Sequence, residues 1–129
     1  GLKIINHKQM LKKLLKRNKQ KKKLEDMKVL QNLVGEVVSF QYNSEDSPKP
    51  NLLLMNVISD IKNPDEVKYL TGININYSLL PLPMIKNYIE KNENDVQKAY
   101  LDLANDYPII KEWYRKYTFA NIKHLKKSK

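Results

Sequence analysis

Val67-Lys68-Tyr69-Leu70-Thr71-Gly72-Ile73-Asn74-Ile75-Asn76-Tyr77 alternates apolar and polar side chains more cleanly than any other stretch of this chain. A period of two is the mark of a β-strand with one buried face. Ile73, Ile75 and Tyr77 fall on one side, and Asn74 and Asn76 on the other. Gly72 interrupts the pattern where a bulge or tight bend is expected. Upstream, Gly35-Glu36-Val37-Val38-Ser39-Phe40-Gln41-Tyr42 is β-branched and aromatic with a partial alternation. A polar loop over 43–50 separates it from Leu52, Leu53, Leu54, Met55, Val57 and Ile58, a buried strand. Asn63-Pro64-Asp65 turns the chain. Three strands so close in sequence favour an antiparallel meander.

Downstream the period changes. Pro81 and Pro83 end the β region, and Pro83 suits the first turn of a helix that carries Met84, Ile85, Tyr88 and Ile89 inward. Asn94 to Gln97 has the form of a capping box for a second helix with Val96, Tyr100, Leu101 and Leu103. Pro108 opens a third, short helix through Trp113 and Tyr114. Residues 117–125 then alternate again and read as one returning edge strand, which antiparallel sheets accept readily. The residues alone therefore predict an α+β body over 35–129, with strands near 36–42, 51–58, 67–77 and 117–125. Val38, Phe40, Leu53, Met55, Ile73, Ile75, Ile85, Ile89, Leu101, Trp113 and Ile122 are expected to pack its core or interfaces.

Ahead of this body, residues 3–34 hold no Gly or Pro and are rich in Lys, Leu, Gln and Met, good helix formers. Ile4, Met10, Leu11, Leu14 and Leu15 recur at helical spacing, and Leu24, Met27, Leu30 and Val34 resume the stripe after a wholly polar run over 16–23. Gly35 stands where a helix C-cap belongs. The prediction is a basic amphipathic helical arm over 1–34.

Charge is segregated. Residues 1–28 hold eleven basic and two acidic side chains, residues 29–114 seven and twelve, and residues 115–129 six and none, for a net charge of +10 over 129 residues. A neutral-to-acidic body with basic ends seeks polyanions or acidic protein faces. Lys12, Lys13, Lys16, Arg17, Lys19, Lys21, Lys22 and Lys23 are the candidate contacts. Two readings of that run stay open. One is a sequence-independent phosphate clamp; the other is a charged helix face docked against an acidic neighbour. Lysine dominates over the bidentate arginine, and no aromatic side chain interleaves for base stacking. Leu11, Leu14 and Leu15 on the arm, with Trp113, Tyr114, Arg115 and Tyr117 near the C-terminus, are the candidate interface anchors.

The chain has no cysteine, and its two histidines, His7 and His124, sit at opposite ends. Disulfides and thiolate chemistry are excluded, and a zinc or di-iron site is not expected. Asp60, Asp65 and Glu66 flank a proline turn without the spacing of a calcium loop. No paired carboxylates come with a supporting base, so no enzymatic activity, cofactor or small-molecule substrate is expected. The apolar runs fall far short of the roughly twenty residues of a membrane span.

Beyond these readings, the chain resembles a family of small proteins encoded by large tailed bacteriophages. The resemblance covers roughly residues 35–125. It runs through Gly35 to Tyr42, Pro50-Asn51-Leu52-Leu53-Leu54, Leu70 to Pro81, and Tyr114-Arg115-Lys116-Tyr117-Thr118-Phe119-Ala120-Asn121-Ile122. Gly72-Ile73-Asn74-Ile75-Asn76-Tyr77 is its most specific element. The resemblance implies a small antiparallel SH3-like barrel with two or three short helices inserted before its last strand. It also implies a non-enzymatic structural or assembly role in a virion assembled in the host cytoplasm. The tail, baseplate, neck and DNA-contacting parts are all open, with other virion proteins as partners and DNA as a further one. The alternative is a nucleic-acid-binding accessory protein that uses the lysine-rich arm as its clamp.

Overall fold

The computed structural model describes residues 10–12, 26–43 and 49–128. The long arm helix predicted over 1–34 therefore lies mostly outside the described residues. Within them, residues 10–12 are helical and exposed, and residues 26–32 form a helix, α1. Gly35 follows with φ +92°, the left-handed turn expected after a helix end. Its N–H then donates to the Leu54 carbonyl at 2.8 Å, bonding the helix exit to the sheet.

The body is α+β. Strands β1 (Val37–Gln41), β2 (Asn51–Ser59) and β3 (Val67–Asn74) form the meander. Helices α2 (Leu82–Lys91) and α3 (Val96–Asp106) and a 3₁₀ helix (Pro108–Trp113) follow. Strand β4 (Tyr114–Thr118), a 3₁₀ turn (Phe119–Asn121) and β5 (Lys123–Lys127) complete the chain. One five-stranded antiparallel sheet results, in the order β4-β3-β2-β1-β5. The helices thus precede the last two strands, because the expected single strand over 117–125 is split by the 3₁₀ turn into β4 and β5. The first of these begins at Tyr114, three residues earlier than the alternation suggested.

The sheet is not closed, and the expected barrel is corrected. Antiparallel pairing throughout makes β4 and β5 run in the same direction at the two edges. Closing the barrel would pair them in parallel across the residues 119–122, whereas parallel neighbours need a crossover of about a dozen residues.

The open sheet is nevertheless strongly curled. In a flat sheet β1 and β4, three spacings apart, would stand about 14 Å from each other. Yet the Phe40 and Tyr42 rings on the β1 side each lie 5.0 Å from the Tyr117 ring of β4, edge to face. The Thr118 N–H also donates to the Tyr42 hydroxyl at 3.3 Å. The short link from β4 to β5 demands the same curl, since six residues from 118 to 123 reach at most about 17 Å and flat edges would be about 19 Å apart.

Both sheet faces are covered, which explains the unbroken apolar run of β2. On the inner face Val38, Phe40, Leu52, Leu54, Leu70 and Tyr117 pack with Met27 and Leu30 of α1. On the outer face Val37, Leu53, Met55 and Ile73 pack under Ile85, Ile89, Val96, Ala99, Leu103, Ile110 and Trp113. The inward stripe of α3 is Val96, Ala99 and Leu103. Leu101 points away from it and is 67% exposed, correcting its expected core position. The cap of α3 is Asp95, one residue later than the capping-box pattern, with its carboxylate accepting from the Lys98 N–H. Asp106 at the other end accepts from the Tyr88 hydroxyl at 2.6 Å and pins α3 to α2. That bond pushes the Tyr88 phenol up to about 12.

Gly72 is required by close approach rather than by its torsion. A Cβ there would meet the Leu53 carbonyl oxygen at 1.9 Å. The ladder between β2 and β3 skips Met55 opposite this point, so the expected irregularity is a bulge on the partner strand. Gln97 of α3 satisfies the Met55 carbonyl at 2.6 Å, in place of the back-bond a capping box would have given it.

Leu30, only 2% exposed, makes the last turns of α1 part of the inner core. Replacing it with alanine should lower the unfolding free energy by about 2–5 kcal/mol. Val29→Ala, on the exposed side of the same turn, should stay within about 0.5 kcal/mol. Urea denaturation of the two variants measures the difference, and equal small effects would detach α1 from the core.

Candidate functional site

The predicted arm contacts Lys13, Lys16, Arg17, Lys19, Lys21, Lys22 and Lys23, with Leu14 and Leu15, lie outside the described residues. Lys12 and Leu11 lie in the helical stretch 10–12 and are exposed. The second predicted cluster is divided by the fold. Trp113 is buried beneath the helical layer and Tyr117 is wholly buried inside the curl, so both are core residues of the chain itself. Tyr114 is half-buried on β4, where its hydroxyl shares a 2.7 Å hydrogen bond with Thr71. Arg115 is half-buried too; its guanidinium lies 5.9 Å from the Tyr77 ring and donates to the Glu112 carbonyl. The ammonium of Lys116 lies 4.6 Å from the Tyr69 ring. The cations of β4 are thus already engaged with aromatic faces.

The opposite edge differs. On β5 only Leu125 turns toward the inner core, while Lys123, His124, Lys126 and Lys127 are exposed. Lysines on a free edge strand discourage pairing with another sheet, which is reason enough for some of them. Pairing with β1 is irregular, however. Lys126 opposes Ser39 and Lys123 opposes Gln41, so His124 and Leu125 together face the single residue Phe40. His124 takes φ +58° at this bulge. A bulge re-aims side chains, and here it brings His124 and Lys126 into a groove of about 450 Å³ with Ser39, Gln41, Lys49 and Asn51.

The register explains why this groove is polar. Directly opposed residues share a face, and Val37 with Leu53 forms the last apolar row under the helices. The next row on that face is Asn51, Ser39 and Lys126, one residue from each of β2, β1 and β5. The outer face of the sheet therefore changes from a helix-covered apolar floor to an uncovered polar one within two residues of each strand.

Asn74 and Asn76, the polar positions of the stretch over 67–77, hold this corner. Asn74 is fully buried on the inner face, donates to the Tyr117 hydroxyl at 3.1 Å and accepts from the Asn76 N–H at 3.0 Å. Asn76 in turn accepts from the Asn51 amide at 2.8 Å and donates to the Lys49 carbonyl at 3.3 Å. The chain of bonds runs from the core to the backbone that presents Lys49. Sequence reading placed Asn74 opposite Ile73 correctly but gave it no partner. Lys49 looked like one more charge in a polar loop, and only the basic excess over 115–129 pointed toward Lys126.

Among the described residues there is no cluster of side chains suited to hold a metal ion, and no helix is long and apolar enough to cross a membrane. Comparisons with protein-family models, with curated proteins and with solved structures found no match.

Removing the buried Asn74 amide by Asn74→Ala should cost about 1–3 kcal/mol of stability. Asn76→Ala, at an exposed position, should cost less but speed amide exchange at Lys49 and Asn51. Thermal melting and hydrogen exchange read the two effects separately.

Proposed function

We propose that this chain is a non-enzymatic structural or assembly component of a tailed-phage virion, assembled in the host cytoplasm and held in the particle by other virion proteins. The resemblance of residues 35–125 to small phage proteins motivates the setting. The connectivity agrees with an SH3-like sheet opened between its edge strands, with β1 between β2 and the last strand. The observation that carries a docking role is the unequal distribution of exposed groups on one body. The helical layer over 82–113 bears six acidic and four basic side chains, whereas residues 115–128 bear five basic and no acidic ones. Leu79, Leu101 and Ile109 stand exposed in or beside the helical layer and offer apolar contacts that the other described residues leave uncovered. A body with unlike surfaces suits a position between unlike neighbours, with the arm and its lysines as an additional tether.

The second reading, a nucleic-acid-binding accessory protein, is favoured by the cation-lined groove beside β5. The two differ in what holds the protein in place. Mass spectrometry of density-purified virions should find this chain in fixed stoichiometry, retained after nuclease treatment and a high-salt wash. Its absence from particles, together with a monomeric free protein, would remove the virion reading. Retention that ends with nuclease would favour the accessory reading instead.

A further inference from the structure

We propose that the groove formed by Ser39, Gln41, Lys49, Asn51, His124 and Lys126 seats the phosphate backbone of a nucleic acid. This contact belongs to the body, is separate from the lysine-rich arm, and does not depend on the virion reading.

The groove combines two kinds of donor. Lys49 and Lys126 supply fixed positive charge, and Ser39, Gln41 and Asn51 supply hydroxyl and amide groups. Phosphate oxygens are contacted by this mixture of lysine with Ser, Asn and Gln side chains. Among the described residues no carboxylate forms a salt bridge with Lys49, Lys123, Lys126 or Lys127; the ion pair found there joins Lys86 of α2 to Glu36, just before β1. Among the described residues these ammonium groups are therefore not committed to a carboxylate.

The form of the groove favours a polymer. One wall is β5, an edge strand with no further strand paired to it among the described residues, so a chain entering the groove can continue along the strand. Lys123, opposite Gln41, shares the face of Lys126, opposite Ser39, and extends the cationic line along β5, whereas Lys127, opposite Val38, belongs to the other face. Along such a line successive phosphates can each meet a cation, which a single small anion would not require.

The same features count against an acidic protein as the occupant. Protein interfaces are anchored by buried apolar or aromatic side chains at their centre. The one apolar residue of this groove, Phe40, sends its ring to the opposite side of the sheet, against Tyr42 and Tyr117. No Phe, Tyr or Trp face opens into the groove and the His124 imidazole is the one ring in its lining, so the contact should depend little on sequence.

The mixed arrangement is also held in place before any ligand arrives. Asn76 fixes both the Asn51 amide and the Lys49 carbonyl, and the β1–β5 ladder fixes Lys126 opposite Ser39. Less ordering is then needed on binding than for lysines on an unsupported loop.

The test uses the full chain and a fluorescein-labelled random-sequence DNA duplex, with anisotropy followed from 50 to 300 mM salt. The double variant Lys49→Gln/Lys126→Gln removes two phosphate contacts at exposed positions. It should raise Kd at least about tenfold at the lowest salt and reduce the slope of log K against log salt by about 1.8. Unchanged affinity and slope would overturn the proposal, because all binding would then belong to the arm. Lysine acetylation footprinting on the unaltered protein gives an independent reading. Lys49 and Lys126 should be protected by DNA, and full reactivity of both in saturated complex would overturn it. Polyglutamate of matched charge should displace the DNA poorly; equal displacement would also overturn the assignment, since the groove would then be reading charge alone.

Discussion

Phe40, Tyr42 and Tyr117 meet edge to face inside the curl of the sheet, and the rest of the fold is arranged around that contact. Edge-to-face pairing places the positive rim of one ring against the negative face of the next, adding about 0.5–1.5 kcal/mol per pair to the burial itself. More consequential is the geometry it imposes. Strands three places apart are drawn together, the four-residue link between β4 and β5 becomes long enough, and the gap between those edges faces α1. Met27 and Leu30 then cover the side that strand pairing leaves open. The end of the arm is thus part of the body's apolar core, whatever the lysines before it contact.

The curl also shapes the outer surface of the sheet. Its outer side can be covered by α2, α3 and the 3₁₀ helix only as far as the Val37–Leu53 row. Beyond that row the sheet continues, and its side chains switch to Asn51, Ser39 and Lys126. A polar, cationic groove at the β5 edge is the direct consequence of a helical layer smaller than the sheet it covers. Asn74 and Asn76 tie this corner to the Tyr117 hydroxyl, so the packing centre and the groove share one hydrogen-bonded chain.

Much of this was legible in the sequence, and the failures have identifiable causes. The strands over 37–41, 51–59 and 67–74 follow from alternation and from the apolar run that two covered faces impose on β2. The final strands did not, because the Phe119–Asn121 turn resets the phase and the alternation across 117–125 carries through it by coincidence. Leu101 was misplaced because Leu101 and Leu103 lie about 200° apart on a helix, and only one can face inward. Trp113 and Tyr117 read as interface anchors because neighbouring Arg115 and Lys116 coloured the segment, although strand geometry sends Tyr117 and Lys116 to opposite sides. The groove was the least legible feature. Its members come from three strands, and only the register, including the bulge at His124, brings Lys49 and Lys126 together.

The curl around the three rings is the claim on which the remaining inferences rest, and it has a direct spectroscopic test. Two-dimensional nuclear Overhauser spectra of the full chain, with assigned aromatic protons, measure the distance between β1 and β4 across the sheet. The curled sheet predicts cross-peaks from the Tyr117 ring to both Phe40 and Tyr42, and from the Thr118 amide to the Tyr42 ring. Cross-peaks from Tyr117 to Leu70 alone, with none to Phe40 or Tyr42, would mean a flatter sheet and would contradict the account.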